Sequence, residues 1–187
     1  LLRILGAEKI HLPIKYLPSE VYRVVNYFED EGIVESWPFI EPSGVSDSTP
    51  YSWQTFLLEI TMMTDCFFRV MNLYEYVVVL DFDEVIMPVM PTDMNWADML
   101  QRFPEDPNSF VDGYSARWAY YPDFGSELKP EVPSYLYMLQ HTQRSLEFEK
   151  DSHVTVKSLF RTDRSKVIHN HIPLFCINRG NWCNTIK

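Results

Sequence analysis

The apolar and polar positions at the start of the chain follow two different periods, which predict strands and helices in turn. Residues 8–14 are predicted to form a short strand, and Pro18-Ser19-Glu20 then opens a helix with Ser19 as its N-cap. Gly32 is placed to end that helix. The apolar stripe of the helix consists of Val21, Val24, Val25 and Phe28.

A second helix is predicted between two further strands. Residues 33–39 favour a strand, and residues 41–50, rich in Pro, Ser and Gly, favour a loop. A helix over about residues 51–71 then leads into a strand that starts at Tyr76. The side chains expected to face inward from this helix are Phe56, Leu57, Ile60, Met63, Phe67 and Val70. The resulting β-α-β-α-β order is typical of a parallel sheet with helices packed on it.

The second half of the chain has a less regular pattern. It predicts a short helix over residues 96–103 and aromatic-rich strands within residues 109–121. Residues 155–168 predict two short strands around a turn at residues 162–165. No internal repeat is visible, so we expect one α/β domain to cover residues 1–187.

The most informative segment is an apolar β-branched strand that ends abruptly in acids. The run from Tyr76 to Leu80 lacks polar alternation, which is typical of a strand covered on both faces. Such a strand delivers Asp81, Asp83 and Glu84 to the carboxyl edge of its sheet, where open α/β folds bind ligands. Asp81 and Asp83 are expected to point to the same side of an extended segment, where their repulsion favours a bound Mg²⁺ or Mn²⁺. The alternative is a helix cap, a turn or a solvated strand end.

Composition and charge argue against several classes of function. The chain has 187 residues, enough for one substantial core, with 46% apolar and 15% aromatic residues. Its 16 basic and 26 acidic residues give a net charge of −10, which argues against a nucleic-acid-binding surface. The apolar runs fall far short of the roughly 20 residues needed to cross a bilayer. Because the chain opens within Leu1-Leu2-Arg3-Ile4 and shows no signal peptide or initiator Met, we expect a fragment of a longer protein.

The three cysteines show neither a zinc-binding spacing nor a disulfide framework. Cys66 is expected to fill apolar space within the second helix. Cys176 and Cys183 are either two free thiols or one bridge. The cysteines therefore leave the redox compartment of the protein open.

Short motifs that span nearly the whole chain resemble those of a known family when taken in order. They are Ile4-Leu5-Gly6-Ala7-Glu8-Lys9-Ile10, Gln54, Asp65-Cys66-Phe67-Phe68-Arg69, Asp81-Phe82-Asp83-Glu84 with Pro88, Trp118 with Phe124-Gly125-Ser126, Lys157-Ser158-Leu159, and His169-Asn170-His171 with Pro173. This order and spacing resembles glycosyltransferase family 92. The chain departs from the family pattern after Ser126, where it has Glu127-Leu128-Lys129 in place of a Gly-His.

The resemblance implies a fold, an activity and a cellular location. The fold would be a GT-A-like, mostly parallel Rossmann-type sheet flanked by helices, without its first strand if the chain starts after that strand. The activity would be inverting transfer of a sugar, galactose from UDP-galactose, to a glycan or glycoprotein acceptor, with Mn²⁺ or another divalent cation. The enzyme would work in the Golgi lumen on a type II membrane anchor that this chain lacks.

The resemblance also suggests roles for the acids and histidines. Asp83 would be the direct metal ligand, while Asp81 would hold the metal, a metal-bound water or the donor ribose. Glu84 would orient the turn or meet the donor sugar. His169 and His171 share one face if their segment is extended, and His171, the family-like histidine before the proline, would complete the metal shell.

Two further residues are linked to the donor by the family pattern. Arg69 would bind the donor diphosphate, although its spacing from Asp65 also predicts an i,i+4 ion pair on the helix surface. Gln54 would contact the donor or simply lie on the helix surface. The residues themselves favour the ion pair for Arg69.

An inverting reaction also requires a base for the acceptor hydroxyl. The acids available in the region expected to line the acceptor side are Asp112, Asp123, Glu127 and Glu131. Sequence does not choose among them, and we name Asp123. Trp118 and Tyr120 would stack on acceptor sugars or pack in the core.

Two other functions fit part of the pattern. Asp81-Phe82-Asp83-Glu84-Val85 also matches the signature of haloacid-dehalogenase-like phosphatases, in which Asp81 would be the nucleophile and Asp83 the acid/base. That chemistry needs a later acidic pair on a loop, and no convincing pair follows. The third hypothesis is a transferase remnant that binds a glycan without catalysis.

Overall fold

The computed structural model describes residues 1–41, 51–103, 111–122, 129–141, 143–145, 156–177 and 183–186. The first five elements follow the predicted order, as β1 (Ile10–Ile14), α1 (Ser19–Asp30), β2 (Val34–Pro38), α2 (Tyr51–Val70) and β3 (Tyr76–Val78). The later elements are α3 (Trp96–Gln101), β4 (Gly113–Arg117), a 3₁₀ segment (Ser134–Gln140), β5 (Val156–Arg161), β6 (Ser165–Ile168), β7 (Pro173–Cys176) and β8 (Thr185–Ile186). Most of the predicted helices and strands are therefore present, with ends that differ by a few residues. Within residues 109–121, where more than one strand was predicted, the described part contains only β4.

The strands form three small sheets. Strands β1 and β2 form a parallel pair, from Ile10 opposite Val34 to Ile14 opposite Pro38. A four-stranded sheet has the order β3-β5-β4-β8, in which β5 is antiparallel to both β3 and β4, and β8 is parallel to β4. Strands β6 and β7 form an antiparallel pair.

The mixed α/β class is confirmed, and some of the strand pairs are parallel. A Rossmann-like GT-A arrangement is not confirmed, because β3 pairs with β5 in the antiparallel sense and does not join β1 and β2. The apolar run before the acids predicts a strand, but it contains no information on which distant segment will pair with it. The three residues of β3 are also half-buried, whereas the pattern predicted a strand covered on both faces.

Helix α1 ends where the sequence predicts but starts differently. Gly32 has a φ of +70°, and its N–H donates to the carbonyl of Glu29 at 2.8 Å. The N–H of Ile33 donates to the carbonyl of Phe28 at 2.9 Å, which completes a Schellman motif. Pro18 occupies the N-cap position without a side-chain cap, so the prediction of Ser19 as N-cap is wrong.

Helix α1 buries only part of its predicted apolar stripe. Val25 is buried against Ile14 and Val34 of the β1–β2 pair. Val21, Val24 and Phe28 are exposed. Two strands offer too little surface to cover the whole apolar stripe predicted for this helix, so three of its four side chains stay exposed.

The C-terminal half of helix α2 packs against strands β5 and β6. The core cluster around it consists of Met63, Phe67, Phe160 and Ile168. Phe56 and Leu57, predicted to face inward, are exposed. A second cluster lies on the other side of the four-stranded sheet and consists of Leu5, Ile86, Trp96 and Leu159. The indole of Trp96 donates to the carbonyl of Ile86 at 2.7 Å, which holds the segment after β3 against this core.

The structure decides between free thiols and one bridge for the two later cysteines. Cys176 and Cys183 form a disulfide. Cys66 is a free, half-buried thiol, and burial raises its pKa to about 11. Within the described ranges, none of the helices is both long and apolar enough to span a bilayer.

Candidate active site

The acids after β3 lie in a tight turn. The N–H of Glu84 donates to the carbonyl of Asp81 at 3.1 Å. The carboxylate of Glu84 in turn accepts the N–H of Asp81 at 3.0 Å, so the two residues close the turn from both ends. The expectation that Asp81 and Asp83 lie on one side of an extended segment is therefore wrong. Phe82, at the tip between them, is 90% exposed.

A buried lysine holds this turn from β5. The Nζ of Lys157 lies 2.7 Å from Glu84 Oε2 and 3.3 Å from Asp81 Oδ2. Its third contact is with Oδ1 of Asn170. The lysine side chain is 3% exposed, compared with 22% for Glu84 and 58% for Asp81. An ammonium has three protons, and here each has an acceptor, which is what a buried charge requires.

The loop between β6 and β7 meets the same end of β5. Nδ1 of His171 lies 3.0 Å from the carbonyl oxygen of Val156. The hydroxyl of Ser158 donates to the carbonyl of His171 at 2.5 Å and lies 2.8 Å from the hydroxyl of Ser115. A carbonyl oxygen only accepts, so Nδ1 of His171 carries a proton, and in the neutral form of the ring Nε2 has the lone pair. This is the tautomer that a metal-binding histidine with a backbone partner adopts.

Two rings, those of Trp118 and His169, pack near His171. The ring centroid of Trp118 lies 5.3 Å from that of His171, and Tyr120 follows at 6.0 Å from Trp118. The ring centroid of His169 lies 5.4 Å from that of His171. Burial is the main cause that lowers the pKa of His169 below its ordinary value, and repulsion from a protonated His171 would act in the same direction. His169 is therefore kept as a neutral ring at neutral pH.

The types of ligand at the turn and loop fit a hard divalent cation. Asp83 is exposed, and no other described residue forms a hydrogen bond or ion pair with its side chain. With Asp81 and the free Nε2 of His171 it offers carboxylate oxygens and one imidazole nitrogen, a set that suits Mn²⁺. In the described part of the chain these three groups do not come within 4.8 Å of one another. A cation held here would need further ligands, and such cations commonly take them from substrate phosphates.

Three other side chains do approach within 4.8 Å in the ranges that the structure covers, namely Asp112, Cys176 and Cys183. The two sulfurs bridge each other, and a disulfide sulfur is not the thiolate that binds metals. Asp112 is buried and accepts the N–H of Asn184 at 2.7 Å. These contacts therefore hold the segment around β8 beside β4.

The other predicted residues have different positions. Arg69 forms the i,i+4 ion pair with Asp65 at 2.9 Å, and its guanidinium lies 5.1 Å from the ring centre of Trp37. Gln54 lies in α2, and its side chain is outside the described part of the structure. Among the acids named for the base, Asp123 and Glu127 lie outside the described residues, Asp112 is buried, and Glu131 is exposed.

Sequence reasoning missed the two residues that join the turn to the loop, Lys157 and Asn170. Lys157 stands in the segment Val156-Lys157-Ser158-Leu159-Phe160, all of which is buried. A lysine within an apolar strand is a usable signal, since lysine is almost never fully buried without a partner. The signal indicates an acidic partner but does not say which of the 26 acids it is.

The comparisons with known proteins bear on the identity of this site. The model of the family described as glycosyltransferase family 92 matches residues 1–185, essentially the whole chain. None of the curated proteins matches the chain, and none of the solved structures does.

Proposed function

Because the chain belongs to glycosyltransferase family 92, we propose that it is a metal-dependent inverting transferase that moves galactose from UDP-galactose to a glycan or glycoprotein. The cation would be Mn²⁺ or another divalent ion. Family membership favours sugar transfer over the phosphatase chemistry that the Asp-x-Asp motif also fits. We propose the Golgi lumen as its compartment, and the Cys176–Cys183 bridge supports an oxidising environment.

One observation carries the metal-dependent part of this proposal. An exposed acidic turn and a histidine with a free Nε2 are both attached to the first residues of β5. We assign Asp83 as direct ligand, Asp81 as a second ligand or ribose contact, and His171 as the nitrogen ligand. Glu84 holds the turn in shape, because its carboxylate is engaged by the N–H of Asp81 and by Lys157.

The proposed reaction makes one bond and breaks another. The acceptor hydroxyl oxygen bonds to the anomeric carbon while the bond from that carbon to the diphosphate oxygen breaks, and the electron pair leaves with UDP. When bound, the cation would supply Lewis-acid stabilisation of the charge on that diphosphate. The hydroxyl proton passes to a carboxylate, for which we propose Asp123. Trp118 lies beside His171 and Tyr120 lies beside Trp118, and we propose that both contact the acceptor sugar.

Calorimetric titration of UDP and UDP-galactose, with and without Mn²⁺, tests the donor site. We expect binding that depends on Mn²⁺ in the wild-type chain and is lost in Asp83→Ala. The control is Asp30→Ala, which removes an exposed carboxylate from the end of α1 and should leave binding unchanged. Binding of UDP that is equally strong without the cation would contradict metal dependence. A folded chain that binds glycans but not UDP would favour the non-catalytic alternative.

The identity of the sugar and the stereochemistry need a separate measurement. We expect UDP release in the presence of mixed acceptor glycans to be fastest with UDP-galactose when compared with UDP-glucose and UDP-N-acetylglucosamine. Nuclear magnetic resonance of the product should show a β-linked sugar from the α-linked donor. An equal rate with UDP-glucose would contradict galactose specificity, and an α-linked product would contradict inversion.

A further inference from the structure

We propose that Lys157 is a positioning residue that holds the acidic turn and the His171 loop in the arrangement that binds the cation. This inference rests on the proposed function, since it concerns the metal ligands assigned there. Lys157 itself would touch neither the cation nor the donor. Its role follows from its burial, its three partners and its place at the start of β5.

Lys157 is unsuited to the usual role of a lysine in a nucleotide-sugar site, which is to bind phosphate. Its side chain is 3% exposed, and its ammonium is directed to acceptors within the protein. Two of these acceptors, on Asp81 and Glu84, lie in the acidic turn, and the third, on Asn170, lies in the loop. A substrate phosphate could reach Lys157 only by displacing partners that are already in place.

The residues on either side of Lys157 hold the same loop. Val156 accepts from Nδ1 of His171 through its carbonyl, and Ser158 donates to the carbonyl of His171. Of these three consecutive residues of β5, Lys157 alone also reaches the turn. The turn and the loop therefore share one rigid strand as their common support, and Lys157 is the link between them.

The charge of Lys157 and its geometry affect cation binding in opposite directions. A positive charge beside Asp81 repels a cation, so removing the charge alone would tighten cation binding. The contacts to the turn and the loop pre-organise the ligands, so removing them weakens binding, as the loss of groups that orient metal ligands usually does. The sign of the change in affinity therefore tells the two roles apart.

The test is the dissociation constant of Mn²⁺ in the presence of saturating UDP, measured by electron paramagnetic resonance of free Mn²⁺ without any turnover. We expect Lys157→Met to weaken Mn²⁺ binding by about tenfold or more, the range found when a group that orients a metal ligand is lost. Asn170→Ala should weaken it in the same direction, although it changes no charge and leaves both acid contacts of Lys157 in place. The matched control is Lys166→Met on β6, an exposed lysine whose removal changes the net charge equally.

Each outcome decides a separate question. Unchanged or tighter Mn²⁺ binding in Lys157→Met and Asn170→Ala would overturn the inference. So would lower melting temperatures with unchanged dissociation constants for the folded molecules, since that result indicates a purely structural lysine. If Lys157→Met does not fold, Asn170→Ala alone decides. If the wild-type chain does not bind Mn²⁺ in the presence of UDP, the proposed function itself is overturned. A loss of Mn²⁺ binding in the variants alone does not affect the proposed function.

Discussion

Nδ1 of His171 lies 3.0 Å from the carbonyl oxygen of Val156, and this contact decides which nitrogen of the ring can bind a ligand. The carbonyl accepts the Nδ1 proton, so Nε2 has the lone pair. The same contact anchors the loop between β6 and β7 to β5. His171 therefore has one nitrogen with a structural role and one with a proposed chemical role, and a suitable substitution separates them.

His171→Asn should remove the chemical role and keep the structural one. An asparagine amide can donate to the carbonyl of Val156 from about the position of Nδ1, but it has no atom where Nε2 lies. We expect a melting temperature close to that of the wild type and Mn²⁺-dependent UDP binding about tenfold weaker or more. His171→Ala, which loses both contacts, should also lower the melting temperature. Calorimetry together with thermal unfolding checks this, and wild-type affinity in His171→Asn would exclude Nε2 as a ligand.

Glu84→Gln should destabilise the fold although Glu84 lies in a turn near the surface. The substitution leaves the ammonium of Lys157, which is 3% exposed, without its closest carboxylate at 2.7 Å. Removing one charged partner of a buried ion pair costs about 2 kcal/mol or more in free energy of unfolding. Asp83→Asn is the control, because an exposed side chain should change that free energy by less than about 0.5 kcal/mol. Urea unfolding measures both, and equal stabilities would show that Glu84 does not hold the turn.

The order of helices and strands could be predicted from sequence because the signals are local. Gly32 ends α1 because a left-handed φ is needed at that position, and Phe67 is buried because it recurs at helical spacing with its neighbours. The partner of β3 could not be predicted in this way. Its pairing with β5 joins Tyr76 to Arg161, and nothing in a run of tyrosine and valines specifies that distant segment.

For the candidate site, the sequence indicates candidate residues but not the arrangement in which the fold holds them. Asp81, Asp83 and His171 stand out by residue type and by their place after strands, and the structure attaches the acidic turn and the His171 loop to one strand. The shape of the turn was not predictable, because it depends on the contact of Glu84 with Lys157, far away in sequence. Asn170 was missed for the same reason, since its partner lies on β5.

Gly113→Ala should destabilise the four-stranded sheet. A Cβ at this position would lie 2.6 Å from the carbonyl oxygen of Leu159, which is fixed by the pairing of β4 with β5. Overpacking against backbone of this kind costs about 2 kcal/mol or more in free energy of unfolding. Gly32→Ala provides a contrast, since apart from Gly32 and its two chain neighbours no atom of the described residues lies within 4 Å of the place its Cβ would take. Only the positive φ is then strained, at about 1 kcal/mol. A larger loss for Gly32→Ala in urea unfolding would contradict this ranking.

Cys66 should be the only thiol of the folded chain that reacts with iodoacetamide, and it should react slowly. Burial raises its pKa from 9.0 to about 11, which lowers the reactive thiolate fraction about a hundredfold. Cys176 and Cys183 form a disulfide and do not react. Mass spectrometry of labelled protein should show one adduct that forms rapidly only in denaturant, and none in Cys66→Ser. Two or three adducts without a reductant would contradict the disulfide.

His11 should make the stability of the fold depend on pH. Its side chain is 11% exposed, and its Nε2 lies 3.3 Å from the hydroxyl of Tyr74. Burial lowers its pKa below the ordinary 6.5, and the charge of Glu35, 3.8 Å away, only partly opposes this shift while Lys9 adds to it. The folded state therefore holds the His11 proton more weakly than the unfolded state does.

The direction of the pH effect follows from that difference in proton binding. Well above pH 6.5 the ring is neutral in both states, and its contribution to stability is fully present. As the pH falls below 6.5, the unfolded chain takes up the proton first, so stability decreases until the folded state is also protonated. The free energy of unfolding can be measured with urea at about pH 7.5 and at about pH 5.5. We expect it to fall less between these two pH values in His11→Gln than in the wild type. If the free energy of unfolding changes with pH in His11→Gln as it does in the wild type, other groups cause the pH dependence. His169, whose pKa is also lowered, is then the next residue to replace.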